Sequence, residues 1–257
     1  MSVAAISRVV ERNAVVFSKL WRATLFSSVL SPLLFLAAMG VGLGGLVDEN
    51  VGTVDGLTYL QFVAPALMVA TGMQLAASES LWPVMAGWRW IRHFHGMIAT
   101  PIRAGDVFGG FVVWTTIRVA MSASVFLVVA ALLGGVPSAW GVLAVPAACL
   151  CAAAVCSLLG AITVRVDTDA SFPAIMRLGV VPLMLFSGTF FPVDQLPGWL
   201  QPAVVLSPLW HGVELARAAT SGRFELVPTV LHVSVLAACV VVGVLVGAQT
   251  FARRLTP

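Results

Sequence analysis

Two ionisable side chains, Glu79 and Arg118, lie within otherwise apolar stretches of this sequence. An ionised group inside a membrane costs about 2.5 to 3.5 kcal/mol even on the mildest insertion scale, so such residues are functional candidates by default. They can pair with each other, face a substrate path, or extend to opposite interfaces. A structural ion pair explains them at least as well as a substrate contact.

The histidines and cysteines give little indication of a metal site. His93 and His95 are two residues apart and point to different helix faces, and no third ligand accompanies them. A basic interfacial loop explains them better, while His232 is expected to be a helix-packing donor. The cysteines lie in apolar stretches without a CxxC pair and are expected to be small core residues: Cys149, Cys151, Cys156 and Cys239.

The elements that must position these residues follow from the composition. The 257 residues are 60% hydrophobic and 10% charged, far from the composition of a soluble protein. The net charge is only +3, so a nucleic-acid partner is not expected. We predict an all-α polytopic membrane protein with one domain, 1–257.

Six apolar stretches are long enough to be membrane spans. The first, at a rise of 1.5 Å per residue, is about 36 Å long and exceeds a hydrocarbon core of about 30 Å. The fifth is short and contains Pro182 and Gly188, so it either recruits residues 174–176 or is an interrupted helix. The predicted spans are about 24–47, 59–82, 107–133, 138–164, 174–192 and 226–252.

Lysine and arginine positions predict the orientation, because basic loops stay on the cytoplasmic side. If both termini are cytoplasmic, the only basic residues on the outer side are Arg217 and Arg223. The cytoplasmic side then carries Arg8, Arg12, Lys19, Arg22, Arg89, Arg92, Arg103, Arg165, Arg177, Arg253 and Arg254. We expect a multi-pass protein of the plasma (inner) membrane.

Three further segments have distinctive patterns. Residues 1–23 combine apolar Ile6 and Val10 with basic Arg8, which is typical of an interfacial helix acting as an anchor or a partner contact. Residues 84–104 mix aromatic and basic side chains and predict a short cytoplasmic amphipathic helix. Residues 193–212 are apolar but broken by prolines, which predicts short outer re-entrant helices packed against the bundle.

The order of several short motifs along the chain resembles one family. They are Glu79, Met97-Ile98-Ala99-Thr100-Pro101 with Gly105-Asp106, Ser187-Gly188-Thr189-Phe190-Phe191-Pro192, Leu196-Pro197-Gly198-Trp199-Leu200 and Ser207-Pro208-Leu209. Together with six spans, they resemble permease subunits of type-2 ATP-binding cassette (ABC) exporters, especially those for nodulation lipo-oligosaccharides and daunorubicin.

This resemblance implies that the loop after the second span forms a coupling helix that docks on an ATPase. The docking residues would be Trp88, Arg89, Ile91, Arg92 and His93, although the family's usual acidic and glycine residues are replaced here by an aromatic and basic run. The outer re-entrant motif would include Gly188, Phe191, Pro192, Pro197 and Trp199. Lipid-like, glycolipid or amphipathic drug cargo is implied, together with a second, identical or related permease chain and surrounding membrane lipid.

The same resemblance assigns ATP to a separate chain. The only lysine, Lys19, lies between Ser18 and Leu20 and not in a phosphate-binding loop. We therefore expect a transporter subunit that is not an enzyme, with no catalytic residue, metal or cofactor of its own. One alternative is an ion-coupled secondary transporter, for which Glu79 and Arg118 give only weak support. The other is a membrane enzyme, which would need clustered Asp, His or Cys.

Overall fold

The computed structural model describes residues 1–38, 42, 44, 45, 49 and 52–255. Within that part the chain is helical, and its only β feature is a single bridge between Val54 and Leu57. The helices used below are α1 Val3–Leu36, α2 Tyr59–Trp90, α3 His93–Ile98, α4 Ala104–Leu132, α5 Ala139–Thr163, α6 Asp169–Phe186, α7 Gln201–Val205, α8 Pro208–Ser221 and α9 Leu226–Leu255.

Five of these described helices, α2, α4, α5, α6 and α9, are long and apolar enough to cross a membrane. The protein is therefore a multi-pass helical membrane protein, as its composition predicts. Helix α1 is continuous through residue 23, where the sequence suggested that an interfacial helix ends and the first span begins. The latter part of that predicted span, including residues 39–41 and 46–47, lies outside the described residues.

Side-chain caps determine where the main helices begin. Thr58 and Gln61 form a reciprocal capping box at the start of α2, with the Gln61 amide N–H donating to Thr58 Oγ1 over 3.4 Å. At the start of α4, Asp106 accepts from the Arg103 backbone N–H. Ser207 accepts from the Leu209 N–H, and Pro208 follows at the first helical position of α8, where its missing N–H has no cost.

Helix α5 is the centre of the bundle. Helices α2, α4, α8 and α9 all pack against it, and α1 packs along α4. Its buried residues are nearly all small, among them Ala148, Cys151, Ala152 and Gly160. Small residues let neighbouring helices approach closely, which is the main source of packing between helices in lipid.

The bundle has two distinct ends. Met1, the Arg103–Asp106 segment and Ala252 lie around one cavity, so the N-terminal residue and the end of α9 share what we call the terminal end. We call the opposite end of the bundle the hairpin end. There the Ser138 backbone N–H donates to the Thr220 carbonyl. The count of six spans stays a prediction, since the described residues contain five candidate spans.

Helix α6 departs from the predicted fifth span. It begins at Asp169 and ends at Phe186, although residues 174–192 were predicted. It contains a π-helical turn at Ile175–Val180, directly before Pro182, which cannot supply a backbone N–H. It ends early because Gly188 turns the chain with φ +77°, a conformation that favours glycine.

We predict that Gly243→Ala destabilises the protein by about 1 to 3 kcal/mol, the usual cost of overpacking. An added Cβ would overlap the Ser157 hydroxyl and lie 2.9 Å from the Leu158 backbone nitrogen, which cannot move without shifting α5. The measurement is the thermal unfolding midpoint of the detergent-purified protein.

The matched control is Gly179→Ala, because no atom lies within 4 Å of the added methyl group there. That variant should keep or raise the unfolding midpoint, since alanine has the higher helix propensity. Equal effects of the two substitutions would contradict the close α5–α9 packing.

Candidate functional site

The α2–α3 junction exposes a small surface at the terminal end, which we call the tip: Trp90, Ile91 and Arg92. Trp90 and Ile91 are 52% and 72% exposed, and they lie directly beside a basic residue. The last turn of α2 is π-helical, and Arg92 adopts a left-handed conformation with φ 58° that reverses the chain. The tip therefore projects from the end of the longest described span.

Helix α3 packs back against α2, and this contact depends on Gly87. An added Cβ at this position would overlap the Phe94 ring, so only glycine lets Phe94 pack under α2. Phe94 is buried and contacts Phe251 of α9 with ring centroids 5.6 Å apart. The reversal is therefore held by the core of the bundle and is not a loose loop.

This geometry corrects the predicted short helix around Trp88 to His95. Trp88 and Arg89 belong to the last turn of α2, and His93 opens α3, because Arg92 breaks the helix between them. Burial, and then the charge of Arg12, lower the pKa of His93 to about 4. The imidazole of His93 is therefore neutral at physiological pH.

A set of contacts that we call the clasp joins the base of the tip to two other segments: Trp88, Arg89, Asp167 and Arg254. Arg89 forms a salt bridge with Asp167 at 3.2 Å, and Arg254 lies 3.9 Å from the same carboxylate. Both guanidinium groups lie near the Trp88 ring, 5.8 and 5.7 Å from its centroid. The clasp thus connects α2, the α5–α6 loop and the end of α9.

Glu79 of α2 and Arg118 of α4 form a direct ion pair. Their side chains are only 18% and 12% exposed, and the Arg118 guanidinium also lies 5.7 Å from the Phe17 ring of α1. The sequence left three arrangements open for these residues: a mutual pair, a substrate path or opposite interfaces. In the structure they pair with each other. This contact joins three helices near the terminal half of the bundle.

At the hairpin end, Arg217 has a role that its sequence position did not suggest. It was assigned as an ordinary outer charge, but it is buried on α8. It donates to the Gly188 carbonyl at 2.7 Å, pairs with Glu214 at 2.8 Å, and lies 3.9 Å from the Phe62 ring centroid. Arg217 therefore fixes the Gly188 turn to α8 and α2.

The segment between α6 and α9 contains α8, which begins beside the middle of α5 and ends beside the start of α5. The Pro208 carbonyl at the start of α8 lies 3.5 Å from Cys151 Sγ, whereas Thr220 near its end meets Ser138. Cys151 follows Ser138 by 13 residues, which corresponds to about 20 Å along α5. Helix α8 extends to Ser221, whereas the sequence predicts that the re-entrant segment ends at residue 212.

The other motif residues lie in the connection before α7. Phe191 and Pro192 are half-buried, whereas Pro197 and Trp199 are exposed at the hairpin end. Gln201 donates to the Leu196 carbonyl at 2.9 Å, which holds this connection closed. Gly188, Phe191 and Pro192 thus contribute to the turn, and Trp199 projects outward.

A second feature missed at the sequence level is a pair of buried histidines. His211 of α8 and His232 of α9 approach with their Nδ1 atoms 2.7 Å apart, and Trp210 contacts both rings. His232 was expected to donate a packing hydrogen bond, and its partner is this second imidazole. The partner could not be inferred because the two residues lie on different helices.

We predict that Glu79→Gln and Arg118→Gln each lower the thermal unfolding midpoint, because each leaves one largely shielded charge without its partner. The double variant should recover about half of the loss or more, since removal of both charges is often nearly neutral. A double-mutant cycle of unfolding midpoints measures this coupling. Additive losses would show that the pair does not hold α2 and α4 together.

We also predict that Arg217→Met destabilises the protein by about 1 to 3 kcal/mol, the cost of leaving a buried polar group unpaired. The Gly188 carbonyl and the Glu214 carboxylate lose their donor together. Arg223→Met is the control, because this neighbouring arginine donates to Asp55 and Gly56 from an exposed position. Equal losses of unfolding midpoint for both variants would contradict the role assigned to Arg217.

The chain is similar to several curated proteins along nearly its whole length. Nodulation protein J of Rhizobium meliloti is 28% identical over 246 residues, covering 96% of this chain and 92% of that protein. Nodulation protein J of Rhizobium leguminosarum bv. trifolii is 30% identical over 244 residues, covering 95% and 91%. The profile of the ABC-2 type transporter family matches residues 4–220. This chain therefore belongs to the ABC-2 type transporter family, as a membrane-embedded transporter subunit.

Proposed function

We propose that this chain is the permease half of an ATP-driven exporter and that its tip docks on a cytoplasmic ABC ATPase. The main support for docking is that Trp90 and Ile91 are exposed beside Arg92 at the terminal end. Aromatic and arginine side chains are the residue types that dominate protein–protein contacts. Membership in the family implies the ATPase partner.

The cytoplasmic location of the tip rests on the arginine distribution. Both termini and the tip share one end of the bundle, and the basic residues of Arg89–Arg103 and Arg253–Arg254 are at that end. Positively charged segments are retained in the cytoplasm, so this end faces inward in the plasma membrane. ATP is then bound and hydrolysed by the partner subunit, and this chain holds no cofactor.

Movement of the tip has two routes into the bundle. The clasp joins its base to α9 through Asp167 and Arg254, and Phe94 joins α3 to α9 through Phe251. Closure of the ATPase subunits would therefore shift α2 and α9 together. Trp88, Arg89 and His93 act in this proposal as links behind the contact surface. The tip residues Trp90, Ile91 and Arg92 form the contact itself.

The hairpin end is proposed as the exit side. The segment 193–212 would be re-entrant, because α8 starts beside Cys151 in the middle of α5. A second permease chain, identical or related, would complete the translocation path within membrane lipid. The cargo is proposed to be lipid-like, glycolipid or an amphipathic drug, since the two relatives described above share the name Nodulation protein J and the bundle surface is apolar.

The proposal predicts that Ile91→Glu with Arg92→Glu lowers binding to the cognate ATPase by about tenfold or more, as expected for two central contact residues. Binding is measured by co-purification and by titration of the ATPase onto the chain in nanodiscs. The same variant should lose stimulation of ATP hydrolysis by the permease, because the docking contact is removed.

Asp194→Arg is the control, since it reverses an exposed charge at the hairpin end and should leave binding unchanged. Unaltered ATPase binding by the double variant would overturn the docking role. Cargo flux that ignores ATP depletion and collapses with the proton gradient would overturn ATP-driven export itself.

A further inference from the structure

A cavity of about 300 Å³ lies between α1, α2, α3 and α4, close to the Glu79–Arg118 pair. We call it the Arg12 cavity. Arg12, His93 and Trp114 line it together with the ion pair and several apolar side chains. It lies behind the tip, with which it shares no residue, and the proposed export mechanism assigns no ligand to it.

The charges of the Arg12 cavity do not balance. Its only carboxylate, Glu79, is already paired with Arg118. The Arg12 guanidinium donates to the neighbouring Asn13 Oδ1 at 3.0 Å, and no carboxylate in the described part of the chain lies within salt-bridge distance of it. One cationic fork is therefore left with free donors, the geometry that matches phosphate and carboxylate groups.

The remaining walls of the cavity favour an amphiphile over a small ion. Phe17 of α1 and Trp114 of α4 meet edge to face with ring centroids 5.7 Å apart, and Phe111 lies on the same side. Val16, which also lines the cavity, is 47% exposed on the outer face of α1. An acyl chain beside Val16 and a headgroup at Arg12 would satisfy both parts of the site.

His93 adds a polar group without adding charge. Its imidazole is neutral, as described above, and lines the cavity together with Arg12. A neutral imidazole can donate one hydrogen bond to an anionic oxygen. The cavity thus combines a solvent-exposed cationic fork, a neutral donor and an aromatic wall, and it is open on one side.

We propose that the Arg12 cavity binds the anionic headgroup of a membrane lipid, with its acyl chain beside Val16 and Trp114, between α1 and α4. The phosphate of an acidic phospholipid supplies the required oxygens. A bound lipid would connect α1 to α3 directly behind the tip, and so would help hold the N-terminal helix against the bundle. The proposal concerns binding alone and is tested without ATPase or cargo, so it stands or fails independently of export.

The test uses the full chain in bilayers of phosphatidylcholine that contain lipids with brominated chains, which quench nearby tryptophan fluorescence. The signal of Trp114 is the difference between the wild-type protein and Trp114→Phe. We expect brominated phosphatidylglycerol to quench Trp114 at about fivefold lower mole fraction than brominated phosphatidylcholine, the preference that one interfacial arginine confers. Trp199, which is exposed at the hairpin end, should show no such preference.

Arg12→Gln should reduce the preference to about one, whereas Arg8→Gln, a matched exposed position on α1 outside the cavity, should retain it. Unfolding midpoints of both variants confirm that each is folded. Equal quenching by the two lipids in the wild-type protein, or equal losses in the two variants, would overturn the proposal. Competition by millimolar inorganic phosphate at constant ionic strength would also overturn it, by assigning the cavity to the free anion.

Discussion

The close approach of helices to α5 is the constraint on which the rest of the structure depends. In lipid there is no hydrophobic force between helices, so contact relies on small side chains and shape. Cys151 meets Gly212 of α8, and Ser157 meets Gly243 of α9, at distances that leave no space for a methyl group. Because α5 anchors both helices, it also determines how deep α8 begins and where the end of α9 reaches the clasp.

Arg217 solves the problem that the α6–α9 segment creates. Irregular backbone inside a membrane protein must find hydrogen-bond partners within the protein. Prolines and the Gly188 turn interrupt the helices here, and the Gly188 carbonyl is left without a helical donor. The Arg217 guanidinium supplies that donor and is balanced by Glu214 and the Phe62 ring. A single buried cation thus stabilises the turn that the apolar, proline-rich sequence requires.

Local patterns in the sequence predict helices well where charges bound long apolar stretches, as around α2, α4, α5 and α9. They fail where one contact between distant residues decides the outcome. Arg92 breaks the predicted coupling helix because Phe94 packs against Gly87 and Phe251, and composition around Arg92 does not show this. Likewise Arg217 is a charge in the sequence, and only α8 packing against α2 makes it a buried donor. The roles of the tip residues stay predictions.

The terminal end combines two kinds of contact that differ in strength. The N-terminus is attached firmly, because the buried Asp106 carboxylate accepts from the Ser2 N–H at 2.7 Å and caps α4 at the same time. The clasp is exposed, and exposed ion pairs contribute at most about 1 kcal/mol each. A docking partner can therefore rearrange Arg89, Asp167 and Arg254 at little cost while α1 and α4 stay joined. In the proposed exporter, motion at the tip would pass through the clasp and leave the start of the bundle intact.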